Sequence, residues 1–503
     1  MTHTGHPQRW AILWILYGSL VLVVVSVSSL NVAIPAIQRA LGATGSELQW
    51  IIDAYALLFA GLLLPTGALG DRFGRREALV AGLIVFAIAS LGGMLSDTPA
   101  TLIFWRGLTG AGAAFIMPAT LSIVATVFPD NERGRAIAIW AGFAGAGGAI
   151  GLIASGLLLE WFWWGSVFLI NLPIVAVMLI LVVRIVPTSR DEQGTPLDPA
   201  GAALSMMGLV ALVYGIIEVP ELGWTSAPVL GAFGVAGVSL GAFILWELRI
   251  PHPMLDPRFF TNRMFGLSSL AITAAFFGIF GMFFVITQYF QFVQGHSVLG
   301  AGLRILPYPL VFFVVAPRAT VLSERFGARA VMTVGMLIAA FGFTLLALSR
   351  PETAYTLVGA ALAVVAGGMA LLMPPATSAL ITSLPPSKAG VGSAVNDTTR
   401  EVGGAIGIAI VGALVSVGYR NSLGDSLDSL DPSIAALGKD SIGALLAATT
   451  NLAPERADPV IAIAGQAFSN GVRLGMFVAA GVLLATAALV LALYPRAKGS
   501  QHD

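Results

Sequence analysis

Cysteine is absent from this chain of 503 residues, which excludes disulfides, thiolate catalysis and cysteine-based metal sites together. Lysine is nearly absent: Lys388, Lys439 and Lys498 are followed by Ala, Asp and Gly, so no Gly-Lys-Ser/Thr phosphate loop exists and ATP-driven work is excluded. The five histidines, His3, His6, His252, His296 and His502, fall in expected loops and tails without metal-ligand spacing. No nucleophile and base accompany them, so catalytic residues, a metal and a cofactor are all expected to be lacking. Charge is scarce as well. Asp, Glu, Lys and Arg make up 10% of the residues, against about 25% in an ordinary soluble domain, and the formal net charge of zero gives no reason to expect nucleic acid.

What is present is apolar: 57% of the chain is hydrophobic. Stretches of about 20 apolar residues, each able to cross a hydrocarbon core as a helix, recur almost end to end. A transmembrane barrel would show short alternating segments instead. The chain therefore reads as an all-α integral membrane protein. Fourteen spans are expected, at 10–35, 49–69, 78–96, 99–128, 134–160, 166–186, 199–219, 228–249, 264–291, 300–323, 330–349, 354–383, 391–418 and 470–495. The first is too long for a signal-peptide core and is expected to stay in place. With the N-terminus in the cytoplasm, 16 of the 26 lysines and arginines fall on the inner side, which orients both termini to the cytoplasm of a multi-pass inner-membrane protein. The segment 419–469 is then external. Its acids, Asp425, Asp428, Asp431, Asp440, Glu455 and Asp458, suit either a solvated cap or a vestibule that attracts cations.

The chain also repeats itself. "GALGDRFGRRE" at 67–77 is echoed by "TVLSERFGARA" at 320–330, an offset of 253 residues. Met117, Pro118, Pro129 and Gly134 recur as Met373, Pro374, Pro385 and Gly390 at an offset of 256. Duplicated halves are a common construction of secondary transporters. Fourteen spans then divide into a six-helix bundle at 10–186, two inserted helices with their linkers at 187–263, and a second six-helix bundle at 264–495 that includes the external loop.

These motifs resemble the major facilitator superfamily, specifically its fourteen-helix drug:proton antiporter branch, the QacA/EmrB-like proteins. "GALGDRFGRRE" is similar to the signature loop between helices two and three, and "RGLTGAGAAFIMPAT" (106–120) to the fourth-helix motif. "LNVAIPAIQRAL" resembles the end of the first-helix motif, and "PPSKAGVGSAVNDTTREVGGAIG" the thirteenth-helix pattern. The resemblance implies alternating access by two rocking bundles around a central cavity, with export driven by proton entry. Two positions depart from the pattern. Ser26 stands where the branch has an aspartate, and "GLIASG" places Leu152 and Ser155 where the fifth-helix motif has proline and glycine, keeping Gly151 and Gly156. Serine cannot carry the proton, and leucine cannot supply a proline kink.

An ionised side chain within hydrocarbon costs at least about 2.5–3.5 kcal/mol, so the few present need a partner or a cavity. Arg106 suits a proton path or substrate cavity, or equally a buried anchor on backbone carbonyls. Asp53 reads either as a wet interfacial carboxylate beside Trp50 or as a proton site. At 100° per residue Asn396, Asp397, Arg400 and Glu401 share one helix face, which Gly403, Gly404 and Gly407 continue. Asp397 and Arg400 are spaced to pair, as a static anchor or as a proton site. Gly67, Asp71, Arg72, Gly74, Arg75 and Arg76 form a wet loop, with Asp71 placed to cap a facing helix N-terminus as a conformational latch. Trp14, Tyr17, Tyr55, Phe59, Phe280 and Phe284 are expected around a greasy pocket, with Asn31, Gln288, Gln291 and Asn396 orienting its contents. The aromatic stripe on span nine has lipid-facing packing as its alternative.

Export of amphipathic, drug-like small molecules by proton antiport is the leading expectation, with protons, substrate and membrane lipids as the partners of a monomer. The alternatives are export of a cell-envelope lipid or endogenous metabolite, and a non-transporting sensor or scaffold on a transporter fold.

Overall fold

The structure is a computed structural model that describes residues 5–43, 45–190, 197–385, 388–423, 442–449 and 454–495. Asp425, Asp428, Asp431 and Asp440 of the acidic segment lie outside these residues. The side chains of Asn31, Glu455 and Leu152, together with Gly156, are also outside what is described.

In lipid every backbone polar group must be satisfied within its own segment, which leaves helices as the building material. Seventeen α-helices follow along the described chain: α1 (Arg9–Leu41), α2 (Gly45–Phe73), α3 (Arg75–Met94), α4 (Pro99–Val127), α5 (Asp130–Trp161), α6 (Ser166–Leu169), α7 (Asn171–Ile185), α8 (Pro199–Leu222), α9 (Ala227–Glu247), α10 (Arg263–Gln288), α11 (Val298–Ile305), α12 (Pro307–Phe326), α13 (Ala328–Ala347), α14 (Tyr355–Thr382), α15 (Ala389–Leu423), α16 (Ile442–Thr449) and α17 (Pro454–Leu493). Among the described residues thirteen spans are long and apolar enough to cross a membrane, and α5, at 32 residues, occupies the remaining expected span at 134–160.

Local chemistry sets the helix ends. Thr98 caps α4 through a reciprocal bond with Thr101, with Pro99 at the first helical position, where its missing N–H costs nothing. Gly42 ends α1 in the left-handed region at φ 64°. The Arg-Phe-Gly corners of the two repeats end alike, at Gly74 (φ 121°) and Gly327 (φ 82°), a backbone that glycine adopts without strain. These two glycines stand 253 residues apart, so the sequence repeat is also a repeat of backbone geometry.

Within the first half α2 packs on α4, α3 on α4 and α1 on α5. Within the second, α13 packs on α14, α10 on α15 and α15 on α17. Between the halves α2 meets α15, α5 meets α12, and α4 and α5 touch α15 and α14. Helices α8 and α9 pair with each other, and α8 also leans on α2 and α15. Several elements differ from their expected form. Span six is broken at Ile170 into α6 and α7, and the span at 300–323 is broken at Leu306 before Pro307. Helix α10 continues into a π-helical turn over Tyr289–Val293. The expected loop 419–469 is shorter than its composition implies, because α15 runs on to Leu423 and α17 begins at Pro454.

Candidate functional site

The two halves touch along seams that run inward from the arginine-rich face. At that face α15 begins without an acidic residue in its first turn, so its first N–H groups need an acceptor from elsewhere. Asp71 of α2 provides it: Gly390 N donates to Oδ1 at 2.8 Å and Val391 N to Oδ2 at 3.0 Å. Arg75 holds the carboxylate from the other side, with Nε and Nη2 at 3.0 and 2.7 Å from Oδ1. Both side chains are buried. The backbones approach closely because a Cβ on Gly67 would lie 2.7 Å from the Gly390 carbonyl oxygen. Gly74 makes the corner after α2, Arg76 pairs with Glu77 at 2.9 Å, and Arg72 is half-buried.

The other seam repeats the contact with a different residue. Thr320 corresponds to Gly67 and Gly134 to Gly390. The Thr320 hydroxyl donates to the Gly134 carbonyl at 3.1 Å. Glu324, the counterpart of Asp71, is exposed. Beside this seam Arg9 donates to Glu132 at 2.7 and 2.9 Å. These bonds hold the Glu132 carboxyl below its ordinary range, against the weaker opposing effect of desolvation.

About ten residues deeper, α15 carries the charged group. Thr377 on α14 donates to Asn396 Oδ1 at 3.1 Å, and Asn396 Nδ2 donates to Asp397 Oδ1 at 3.1 Å. Arg400 Nη1 lies 3.5 Å from the same oxygen, with side-chain exposures of 13% for Arg400 and 1% for Asp397. Asp397 Oδ2 is buried and accepts no hydrogen bond among the described residues. That bare oxygen makes the carboxyl able to hold a proton, since an unpaired buried charge is the costly form. Glu401 is half-buried and lies within electrostatic reach of Arg400, Asp397 and Tyr55. The glycines that follow form the contact with α10: a Cβ on Gly403 or Gly407 would run into the carbonyls of Thr273 and Phe277, and one on Gly404 into the Phe280 ring.

Arg106, on α4, is 1% exposed. Its Nε donates to the Ile51 carbonyl at 3.1 Å and its guanidinium lies 4.7 Å from the Tyr55 ring centroid, while Nη1 has no hydrogen-bond partner among the described residues. Tyr55 stacks on Phe59 at 5.7 Å. Asp53, two residues before Tyr55, is half-buried. The structure thus gathers Tyr55, Arg106, Asn396, Asp397, Arg400 and Glu401 near the seam between α2, α4 and α15.

Of the remaining expected residues, Phe280 borders that group through Phe276. Trp14 is 56% exposed and meets Tyr17 edge-on at 5.7 Å. Phe280 contacts Phe276 edge-on at 5.5 Å, and Phe284 is exposed. Gln288 turns back onto its own helix, donating to the Phe284 carbonyl at 3.0 Å, and Gln291 sits half-buried on the π-helical turn. Trp140 had no signal in the sequence, yet its ring faces the Arg400 guanidinium at 5.4 Å. Near the far end of α13 a recess of about 150 Å³ is lined by Ser349, Arg350, Gln466, Ser469, Asn470 and Arg473, among others. Its charged lining residues are Arg350 and Arg473.

The chain and its fold have counterparts among known proteins. The chain is 34% identical over 489 residues, 97% of each chain, to the multidrug efflux pump LfrA of Mycolicibacterium smegmatis. It is 35% identical over 463 residues to the methyl viologen resistance protein SmvA of Salmonella typhimurium, covering 92% of this chain and 93% of that one. The crystal structure of the human organic anion transporter MFSD10 (TETRAN) superposes with a TM-score of 0.65 at 14% identity, covering 96% of this chain and 100% of that one. That likeness is one of fold. With residues 16–408 matching the Major Facilitator Superfamily as a whole, two duplicated bundles meeting at an Asp71-capped seam, and relatives matched over nearly their full length, this chain belongs to the Major Facilitator Superfamily.

Proposed function

We propose that this chain exports amphipathic, drug-like small molecules across the cytoplasmic membrane by alternating access, driven by protons moving inward. The observation that carries the proposal is the buried group on α15, where Asp397 offers one oxygen to Asn396 and Arg400 and keeps the other bare. A carboxyl so placed takes a proton onto the bare oxygen and gives it up when the cavity changes sides, which supplies the carrier that Ser26 cannot. The relatives' names, for multidrug efflux and methyl viologen resistance, support a drug-like cargo. The arginine-rich face is cytoplasmic on this reading, because basic loops stay inside, and both termini lie there. Asp71 then acts as the latch of the cytoplasmic seam, and the bundles at 10–186 and 264–495 rock about it with the inserted pair at 187–263 alongside. Protons, cargo and surrounding lipid are the partners of a monomer.

Everted membrane vesicles loaded outside with ethidium test this directly. Vesicles bearing the chain are expected to accumulate the dye when an inward-acid gradient is imposed and to release it when a protonophore collapses the gradient. Accumulation that survives the collapse would remove the proton coupling.

A further inference from the structure

Arg400, in the charged group on α15, lies against aromatic rings of both halves of the molecule. Its guanidinium carbon lies 4.6 Å from the ring centroid of Phe276, on α10 of its own half, and 5.4 Å from that of Trp140, on α5 of the other half. Trp140 is 1% exposed and its ring is fixed: Nε1 donates to Thr120 Oγ1 at 3.2 Å, and that hydroxyl donates to the Met117 carbonyl at 2.8 Å. The repeat adds an independent observation. Trp140 stands 256 residues before Asn396, the same offset that relates Gly134 to Gly390. In each half a threonine of the preceding helix holds that position, Thr120 for Trp140 and Thr377 for Asn396. Both copies of the position therefore serve Arg400 and Asp397, one from each side of the seam.

We infer that Trp140 is a positioning residue for coupled transport: it presents a ring face from the first half that receives the Arg400 guanidinium, and so lets the charge on Asp397 set the strength of the seam. The inference rests on the reading that Asp397 carries the proton. The charged and titratable groups facing Arg400 are Asp397 and Glu401 on its own helix, and Glu401 is in turn faced by Tyr55 of α2, beside Arg106 of α4. While Asp397 is ionised, the guanidinium is shared between a carboxylate and two rings. Once a proton neutralises Asp397, Glu401 and the rings are what remain, and the Trp140 contact carries a larger share of the cation's stabilisation. A desolvated cation–π contact is strong enough to bias two conformations of similar energy. The first half, whose described residues make no hydrogen bond to the Asp397 carboxyl, thereby responds to its protonation.

The test compares purified full-length protein in proteoliposomes, with ethidium as the probe and flux measured with and without an imposed proton gradient. For Trp140→Leu the ratio of gradient-driven to downhill flux is expected to fall about tenfold, as loss of a buried cation–π contact allows, and Trp140→Phe is expected to restore most of it although it cannot bond Thr120. A series of increasingly fluorinated tryptophans at position 140 keeps the shape and withdraws charge from the ring face, so it reports even where the leucine variant does not fold. The ratio should decline in step with fluorination. An unchanged ratio across the fluorinated series, or equal losses in both fluxes for the leucine and phenylalanine variants, overturns the inference and leaves Trp140 a packing residue. Asp397→Asn separates this from the underlying reading: if that variant keeps its gradient response, the proton assignment itself fails. If it loses the response while fluorinated Trp140 does not, only the role of Trp140 fails.

Discussion

Asp397 and Arg106 are both charges buried in the bundle, but they are satisfied in different currencies. Arg106 spends one N–H on the Ile51 carbonyl and its flat face on Tyr55, which fixes where α2 and α4 sit. Replacing it by leucine removes this charge-assisted bond, worth about 1.5–3 kcal/mol, and a lowered unfolding temperature in detergent is the expected result. Asp397→Asn removes the anion beside a buried arginine, for which about 3–5 kcal/mol is the usual cost of breaking a buried pair. Its expected signature is double, a lower unfolding temperature and an ethidium flux that no longer varies with pH. Pairing of Asp397 with Arg400 was legible because both lie on one helix at a fixed spacing. Trp140 was not, since its contact joins segments 260 residues apart and nothing local distinguishes it from any other tryptophan in an apolar run. Trp14 illustrates the same limit from the other side. Its place on α1 was plain, but which way a ring points in an almost uniformly apolar helix is decided by neighbours.

Among elements, α15 shows most plainly how a helix face is divided. Its polar residues fall toward the seam while Gly403, Gly404 and Gly407 admit α10 to backbone contact, the small-residue packing that lipid-embedded helices favour. Gly407→Leu would force a side chain against the Phe277 carbonyl, and a destabilisation of about 1–3 kcal/mol is expected from such overpacking, read as a loss of folded protein on gel filtration and a lower unfolding temperature. Near the N-termini of α1 and α5 the Arg9–Glu132 pair carries a pH dependence of known sign. Because the folded carboxyl titrates below its unfolded value, the pair's contribution is complete above about pH 4 and disappears as pH falls through the folded value. Glu132→Gln should flatten that acid-side change in thermal unfolding curves by lowering stability on the neutral side while leaving the acid side little altered. Existence and order of the spans were readable from length and apolarity alone. The breaks at Ile170 and Leu306, the π-helical turn and the extension of α15 and α17 past the expected loop were not, because each is set by tertiary packing that a run of apolar residues does not encode.

At the scale of the whole molecule, the duplication seen as two faint motif pairs is a duplication of contacts: Gly67 on Gly390, and Thr320 on Gly134. Asp71→Asn keeps the shape of the first contact and weakens its charge-assisted bonds to Gly390 and Val391. Slower ethidium flux with little loss of stability is expected, and because the chain has no cysteine, a single engineered pair across α2 and α15 would report the accompanying fall in crosslinking without background. Unchanged flux and crosslinking would count against a latch.

The two seams are copies in position but not in strength. One is fastened by a buried carboxylate bridging Arg75 and two backbone amides, while at the other the described residues show the Thr320 hydroxyl on the Gly134 carbonyl, with Glu324 exposed. A face joined so unequally does not part like a pair of matched doors. The α5–α12 edge can slide over a contact with little to lose, whereas the α2–α15 edge must give up a whole cluster at once. On the proposed latch reading, motion at this face is stepwise on the α2–α15 side and gradual on the α5–α12 side, with Asp71 setting the moment of opening.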